Sequence, residues 1–234
     1  MSPTTDASQV PLTSAEVAVF SNKTNSSEIT AATASTSTQD ASGGQPTAAA
    51  SAAAELASTK IKLLGALRSF PDFPIPGIQF IDILPLFQDV SIHLALLRAL
   101  ELQVLESGVK PNVIVGLDAR GFLFGPSLAL RLNAGFVPVR KQGKMPGPCV
   151  TAAYEKEYGT DYFQMQEGAI KPGQTVLVVD DIIATGGSAA AAGDLVKKLG
   201  GDLVGYLFIL EIPFLKGREK LGGISTTTLL ETDG

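Results

Sequence analysis

The residues whose types and order could do chemistry stand at positions 178–188: Val178-Val179-Asp180-Asp181-Ile182-Ile183-Ala184-Thr185-Gly186-Gly187-Ser188. Two adjacent acids follow a β-branched run, and a buried strand end is a costly place for a carboxylate unless it finds partners. A Thr-Gly-Gly-Ser turn comes next, and an Ala-rich stretch begins directly after it. Glycines let backbone approach a ligand closely, a helix start offers unpaired N–H groups, and the Thr185 and Ser188 hydroxyls add donors. Together these form an anion site suited to a phosphate. Carboxylates repel phosphate but accept hydrogen bonds from sugar hydroxyls. A ribose 5-phosphate presents both kinds of group in that order. No Gly-Lys-Ser/Thr follows the glycines, so the loop is not a Walker A motif.

Such a loop needs a rigid strand before it and a helix behind it. The spacing predicts a buried strand over 175–179, a helix over 189–199 ended by Gly200 and Gly201, and a strand over 203–210. Upstream, 113–117 is a β-branched run suited to a strand covered on both faces, followed by a helix over 122–132 and a strand over 134–139. A helix over 92–107 closes on Gly108, an amphipathic helix spans 60–67, and Pro71, Pro74 and Pro76 enforce extended chain between them. Strands alternating with helices predict an α/β fold with a doubly wound, mostly parallel sheet. In such sheets ligands sit beyond the carboxyl ends of the strands.

The bulk numbers exclude several classes. A formal charge of -5 argues against a nucleic-acid or anionic-membrane surface. One cysteine, Cys149, rules out an intramolecular disulfide framework and suits a reducing, cytoplasmic setting. With His93 as the single histidine, zinc, Cys–His and Ser–His–Asp chemistries are poorly supported. No apolar run reaches the ~20 residues that span a bilayer. Residues 1–59 are mostly Ala, Ser and Thr and read as a disordered extension, with a frayed helix at its Ala-rich end. They hold no Arg but contain Asp6, Glu16, Glu28, Asp40 and Glu55, unlike a transit peptide.

The stretch 178–188 resembles the phosphoribosyl-diphosphate signature of type I phosphoribosyltransferases. That resemblance implies a type I fold with a small N-terminal hood over about 60–90 and the main domain over 60–234. It implies transfer of ribose 5-phosphate from 5-phosphoribosyl 1-diphosphate to a nitrogen base, with Mg²⁺ held by the donor's oxygens and water rather than directly by protein. Asp180 and Asp181 would hold the ribose hydroxyls or a metal-bound water, and Ala184, Thr185, Gly186, Gly187 and Ser188 the 5-phosphate. Five further segments resemble the adenine members of the family, in order along the chain. They are the hood Phe70-Pro71-Asp72-Phe73-Pro74-Ile75-Pro76-Gly77-Ile78-Gln79-Phe80-Ile81-Asp82-Ile83, the loops 116–122 and 137–147, the flap Tyr154-Glu155-Lys156-Glu157-Tyr158-Gly159, and the C-terminal run 215–221.

By that likeness the diphosphate falls to Asp118, Ala119, Arg120, Arg140, Lys141 and Lys144. A non-proline cis peptide is implied between Asp118 and Ala119. Positive charge concentrated in an acidic chain is what a diphosphate leaving group requires. Adenine would be read by backbone groups at Gln79 and Ile81, between Phe80 and Ile212. A flap carrying Tyr154, Glu157 and Tyr158 would close over the site, with Glu157 a candidate proton acceptor beside Arg120, Lys141 and Asp181 as catalytic groups. Family members also pair as homodimers, with Arg140 the candidate to cross the interface. The chain departs from the pattern at Ile81, where Arg is usual, and at Gln142, where a basic residue is common. Those departures leave a donor-binding paralogue with weak turnover as an alternative, beside a transferase for another purine.

Overall fold

Alanine-rich sequence and two leucines seven residues apart build the first helix, α1 (Ala48–Leu64), which buries Leu56 and Leu63. Alanine has the best helix propensity, and the i, i+7 pair puts both leucines on one stripe. The computed structural model describes residues 48–73, 76, 79–155 and 160–232. The boundary expected between residues 59 and 60 falls inside α1. Glu55 pairs with Arg98 at 2.9 Å, fastening that helix to the rest of the molecule. The frayed helix expected at the Ala-rich end and the amphipathic helix expected over 60–67 form one helix, which burial of Leu56 and Leu63 orders.

After α1 come two short strands, β1 (Arg68–Phe70) and β2 (Phe80–Asp82), which pair antiparallel as a separate ribbon, with Ser69 opposite Ile81. A one-turn helix, α2 (Pro85–Gln88), leads into α3 (Val90–Glu106), whose N-cap Asp89 accepts from the backbone N–H groups of Ser91 and Ile92. Next are β3 (Val113–Leu117), a 3-10 turn (Arg120–Phe122), α4 (Gly125–Arg131) and β4 (Gly135–Lys141). Then follow β5 (Cys149–Glu155), β6 (Thr160–Gln166), β7 (Thr175–Ile183), α5 (Gly187–Lys198), β8 (Asp202–Glu211) and β9 (Thr226–Glu231).

The main sheet has seven strands in the order β5-β6-β4-β3-β7-β8-β9. Its centre and one edge are parallel, from β4 through β3, β7 and β8 to β9. β5 and β6 form an antiparallel hairpin added to the other edge. Each face of the sheet covers its own core. Leu177, Val179, Leu207 and Ile209 pack with α1, α3 and α4, while Val176, Val178, Tyr206 and Phe208 pack with α5 and the hairpin. Alternating side chains on buried parallel strands require this two-sided cover.

The doubly wound parallel sheet expected from the sequence is present, with three differences. The strand foreseen over 175–179 continues to Ile183, because Ile182 and Ile183 keep pairing with β8 beyond the two acids. The helix foreseen over 122–132 is split into the 3-10 turn and α4. The hairpin and β9 were not foreseen as strands. Thr160, Tyr162, Gln164 and Gln166 alternate with the buried Phe163 and Met165 along β6, a period-2 signal that the reading of 154–162 as a flap passed over.

Candidate active site

β7 delivers Asp180 and Asp181 at the carboxyl end of the central sheet, and α5 starts just beyond, leaving Ala184 to Gly186 as the link. Gly186 caps α5 in the left-handed conformation at φ 77°. A side chain there would be strained, so glycine is what lets the loop turn and point the first N–H groups of α5 outward. A cleft of about 430 Å³ opens over this loop, lined by Asp180, Asp181 and every residue from Ala184 to Ser188. All seven residues expected to hold a ribose 5-phosphate therefore meet in one place.

The opposite wall comes from the end of β3. The Asp118–Ala119 peptide is cis, as the resemblance implied, and the 3-10 turn that follows carries Arg120. Gly121 fits this turn against the sheet: a Cβ there would sit 2.9 Å from the Val179 carbonyl oxygen. The close approach brings the Arg120 Nε within 2.5 Å of the Asp181 carboxylate, across 61 residues of sequence. Asp118, Ala119, Arg120 and Lys141 all line the cleft. Arg140 instead turns to Asp118 at 3.3 Å and donates to the Lys144 carbonyl, and neither Arg140 nor Lys144 is among the lining residues.

Burial and the neighbouring Asp181 carboxylate push the Asp180 carboxyl well above the usual aspartate range, against a smaller opposing pull from Arg120. The pair therefore favours an added proton, a hydroxyl donor or a cation. Tyr154 also lines the cleft, buried and stacked on Phe163 with ring centres 4.5 Å apart. Its hydroxyl donates to Asp161 across the hairpin at 3.1 Å. Desolvation first, then that hydrogen bond, raises its pKa to about 12. Tyr154 thus belongs to the strand at the base of the expected flap. Glu157 and Tyr158 lie outside the described residues.

A second, largely apolar cavity of about 630 Å³ adjoins the first, and Arg120, Asp181 and Ile182 line both. Gln79, Phe80, Ile81 and Ile212, the four residues expected around a base, all face this cavity. The Gln79 side chain donates to Ser69 on the facing strand. Ile81 is half-buried against the helical core, and Arg68 opposite Asp82 forms a 2.7 Å pair beside it. Phe70 and Phe73 of the hood also line this cavity, beyond the four residues expected around a base. Phe73 stands edge-on to Phe80 at 5.0 Å, making a two-ring wall. Their aromatic character was the available signal; their convergence depends on the ribbon. Phe163 was missed for the same reason, since its role follows from the hairpin.

A parallel sheet that ends in two acids, a glycine turn and a helix start beside a basic turn is the arrangement expected of a phosphoribosyltransferase-type site, and residues 88–213 match the phosphoribosyl transferase domain family. The adenine phosphoribosyltransferase of Yarrowia lipolytica is 58% identical over 176 residues, covering 74% of this chain and 97% of that protein. The mouse protein of that name is 50% identical over 169 residues, covering 71% and 93%. A solved Saccharomyces cerevisiae adenine phosphoribosyltransferase, complexed with an imino-altritol bisphosphate and adenine, superposes with a TM-score of 0.72 at 53% identity, covering 74% of this chain and 99% of that one. The chain belongs to the adenine phosphoribosyltransferase family. Among the described residues, no helix is long and apolar enough to cross a membrane.

Proposed function

We infer that the protein transfers the ribose 5-phosphate of 5-phosphoribosyl 1-diphosphate to adenine, giving AMP and diphosphate in purine salvage. The observation that carries this is the pair of adjoining cavities. One is polar and built on the phosphate loop, the other apolar and walled by aromatic rings, and they share Arg120 and Asp181 where the sugar would meet the base. Both cavities are pre-formed, so the reactants are brought together without rebuilding the sheet.

In this reading the 5-phosphate sits on the backbone N–H groups of the Gly186 turn and the hydroxyls of Thr185 and Ser188. Asp180 and Asp181 accept hydrogen bonds from the ribose hydroxyls. Arg120 exchanges its bond with Asp181 for the departing diphosphate, and Lys141 adds a second charge to it. Arg140 and Lys144 reach the diphosphate after Arg140 leaves Asp118. Phe80 and Ile212 hold the two faces of the base, and backbone groups at Gln79 and Ile81 read its edge. The adenine amino group and ring nitrogen pair with a C=O and an N–H. An oxo purine would set its oxygen against that carbonyl.

Asp180, buried beside the Asp181 carboxylate, suits a water bound to a divalent cation carried in by the donor, since burial and that neighbour leave it favouring a hydrogen-bond donor. Among the described residues no group of three or more His, Cys, Asp or Glu side chains comes together to hold a metal ion by protein alone. Mg²⁺ bound to the donor would supply neutralisation of the leaving diphosphate. Glu157 and Tyr158 enter through the family likeness, as the acid and ring of a flap closing from the β5–β6 hairpin. A cytoplasmic homodimer, in which Arg140 reaches the diphosphate of the neighbouring site, completes the reading.

The test is AMP formation from labelled adenine, with labelled guanine and hypoxanthine in parallel, using the full chain, donor and Mg²⁺. Conversion of adenine alone is expected. Conversion of guanine without adenine would overturn the base assignment, and donor binding without any product would leave a binding protein. Light scattering checks the dimer, which a fully active monomer would exclude.

A further inference from the structure

The phosphate loop is braced by a segment to which the foregoing reading gives no part. A Cβ on Gly186 would lie 2.2 Å from the Gly217 carbonyl oxygen, and a Cβ on Gly217 would lie 2.4 Å from the Ala184 carbonyl oxygen. The two glycines therefore lock the loop and the C-terminal segment backbone to backbone. Lys216, at φ 53°, makes the left-handed turn that delivers Gly217 into this contact. Arg218 follows directly, and every nitrogen of its guanidinium donates. It donates to both Glu211 oxygens at 2.7 and 2.5 Å, to the Thr226 carbonyl at 2.6 Å and to the Thr228 hydroxyl at 3.0 Å. Thr228 in turn donates to Glu211 at 3.0 Å.

The acceptors sit on β8 and β9, so the fork ties Gly217 to the rigid edge of the main sheet. The pair is only half open to water, with the Arg218 side chain 43% and the Glu211 side chain 9% exposed, so losing the guanidinium also strands a buried carboxylate. The planar fork, filled by three partners in fixed directions, adds geometric control to that. We propose that Arg218 is a positioning residue for donor binding: held by Glu211, Thr226 and Thr228, it fixes Gly217 against the backbone of Ala184 to Gly186 and so sets the shape of the 5-phosphate cradle.

This rests on the reading of that loop as the 5-phosphate site, and one titration separates the two. Calorimetry with ribose 5-phosphate on the full chain tests the site itself; no binding to the unaltered protein would remove the site and this proposal with it. If it binds, Arg218→Met should weaken ribose 5-phosphate and raise the donor KM by about tenfold to a hundredfold, as a misplaced cradle does. The adenine KM should change by less than about fivefold, because Phe80 and Ile81 lie on the separate β1–β2 ribbon and only Ile212 adjoins Glu211. Arg218→Lys, which keeps the charge but not the fork, should fall between the two. Gly217→Ala should reproduce the same split. Should Arg218→Met fail to fold, the milder Thr228→Val carries the test, with a smaller shift in the same direction. Unchanged ribose 5-phosphate affinity in the folded variants would overturn the proposal. So would donor and adenine affinities falling together with the melting temperature, since that is what a merely structural role predicts.

Discussion

Replacing Asp181 by Asn separates donor binding from stability. Asp181 is 4% exposed, receives the Arg120 guanidinium at 2.5 Å and lies beside a carboxyl whose ionisation it opposes. A hydrogen bond to a charged group contributes about 1.5–3 kcal/mol, and an amide returns only part of it. At tenfold per 1.4 kcal/mol the donor Kd should rise about tenfold to a hundredfold. The stability change should be small, because the 49% exposed Arg120 is hydrated once its partner is neutral and an amide in place of the buried carboxylate strands no charge. Removing a charge next to Asp180 acts in the opposite direction, so the melting temperature should move by less than about 4 °C.

The pH dependence has a definite sign. Asp180 is raised above 3.8 in the folded state, so its contribution to stability is full below pH 3.8 and is lost as pH rises through the folded value. Asp181→Asn removes the second-largest cause of that rise and leaves desolvation, so the loss should shrink without vanishing. Donor affinity by calorimetry, with melting curves across the acid range, reads both effects. A variant that binds donor as well as the unaltered protein would refute the placing of the ribose at Asp181.

Gly121→Ala puts a methyl group 2.9 Å from a strand carbonyl, so the turn bearing Arg120 has to move, at about 1–3 kcal/mol. kcat/KM for the donor should fall while adenine binding holds, and an unchanged value would sink the link between this turn and the leaving group. Phe80→Ala should raise the adenine KM by about fivefold to a hundredfold, the usual worth of a base stacked on an aromatic ring, with the donor KM unchanged; steady-state kinetics in each substrate decides it. Tyr154, with its pKa raised to about 12 from 10.0, contributes stability that is present below pH 10.0 and lost as pH rises through about 12. An ultraviolet titration of Tyr154→Phe should lack one late-ionising phenol, and its stability should fall less across that window.

Much of this protein could be read without coordinates where the information is local. The order Asp180-Asp181, turn glycines, helix start announces the cleft that β7 and α5 build, because each requirement is met within one strand, one turn and one helix. Buried β-branched runs located β3, β4, β7 and β8 for the same reason. Composition fell short at α1, giving a frayed end and a separate helix over 60–67, because only burial of Leu56 and Leu63 makes one helix of them. It failed again at the hairpin, where polar residues on one face hid the alternation of Phe163 and Met165. What only the tertiary structure decided are the encounters between distant positions: Arg120 with Asp181, Phe73 with Phe80, Tyr154 with Phe163 and Gly186 with Gly217. Local propensity says nothing about which turns will touch. That follows from the strand order, which sets the ends of β3 and β7 side by side and folds the chain after β8 back onto the phosphate loop.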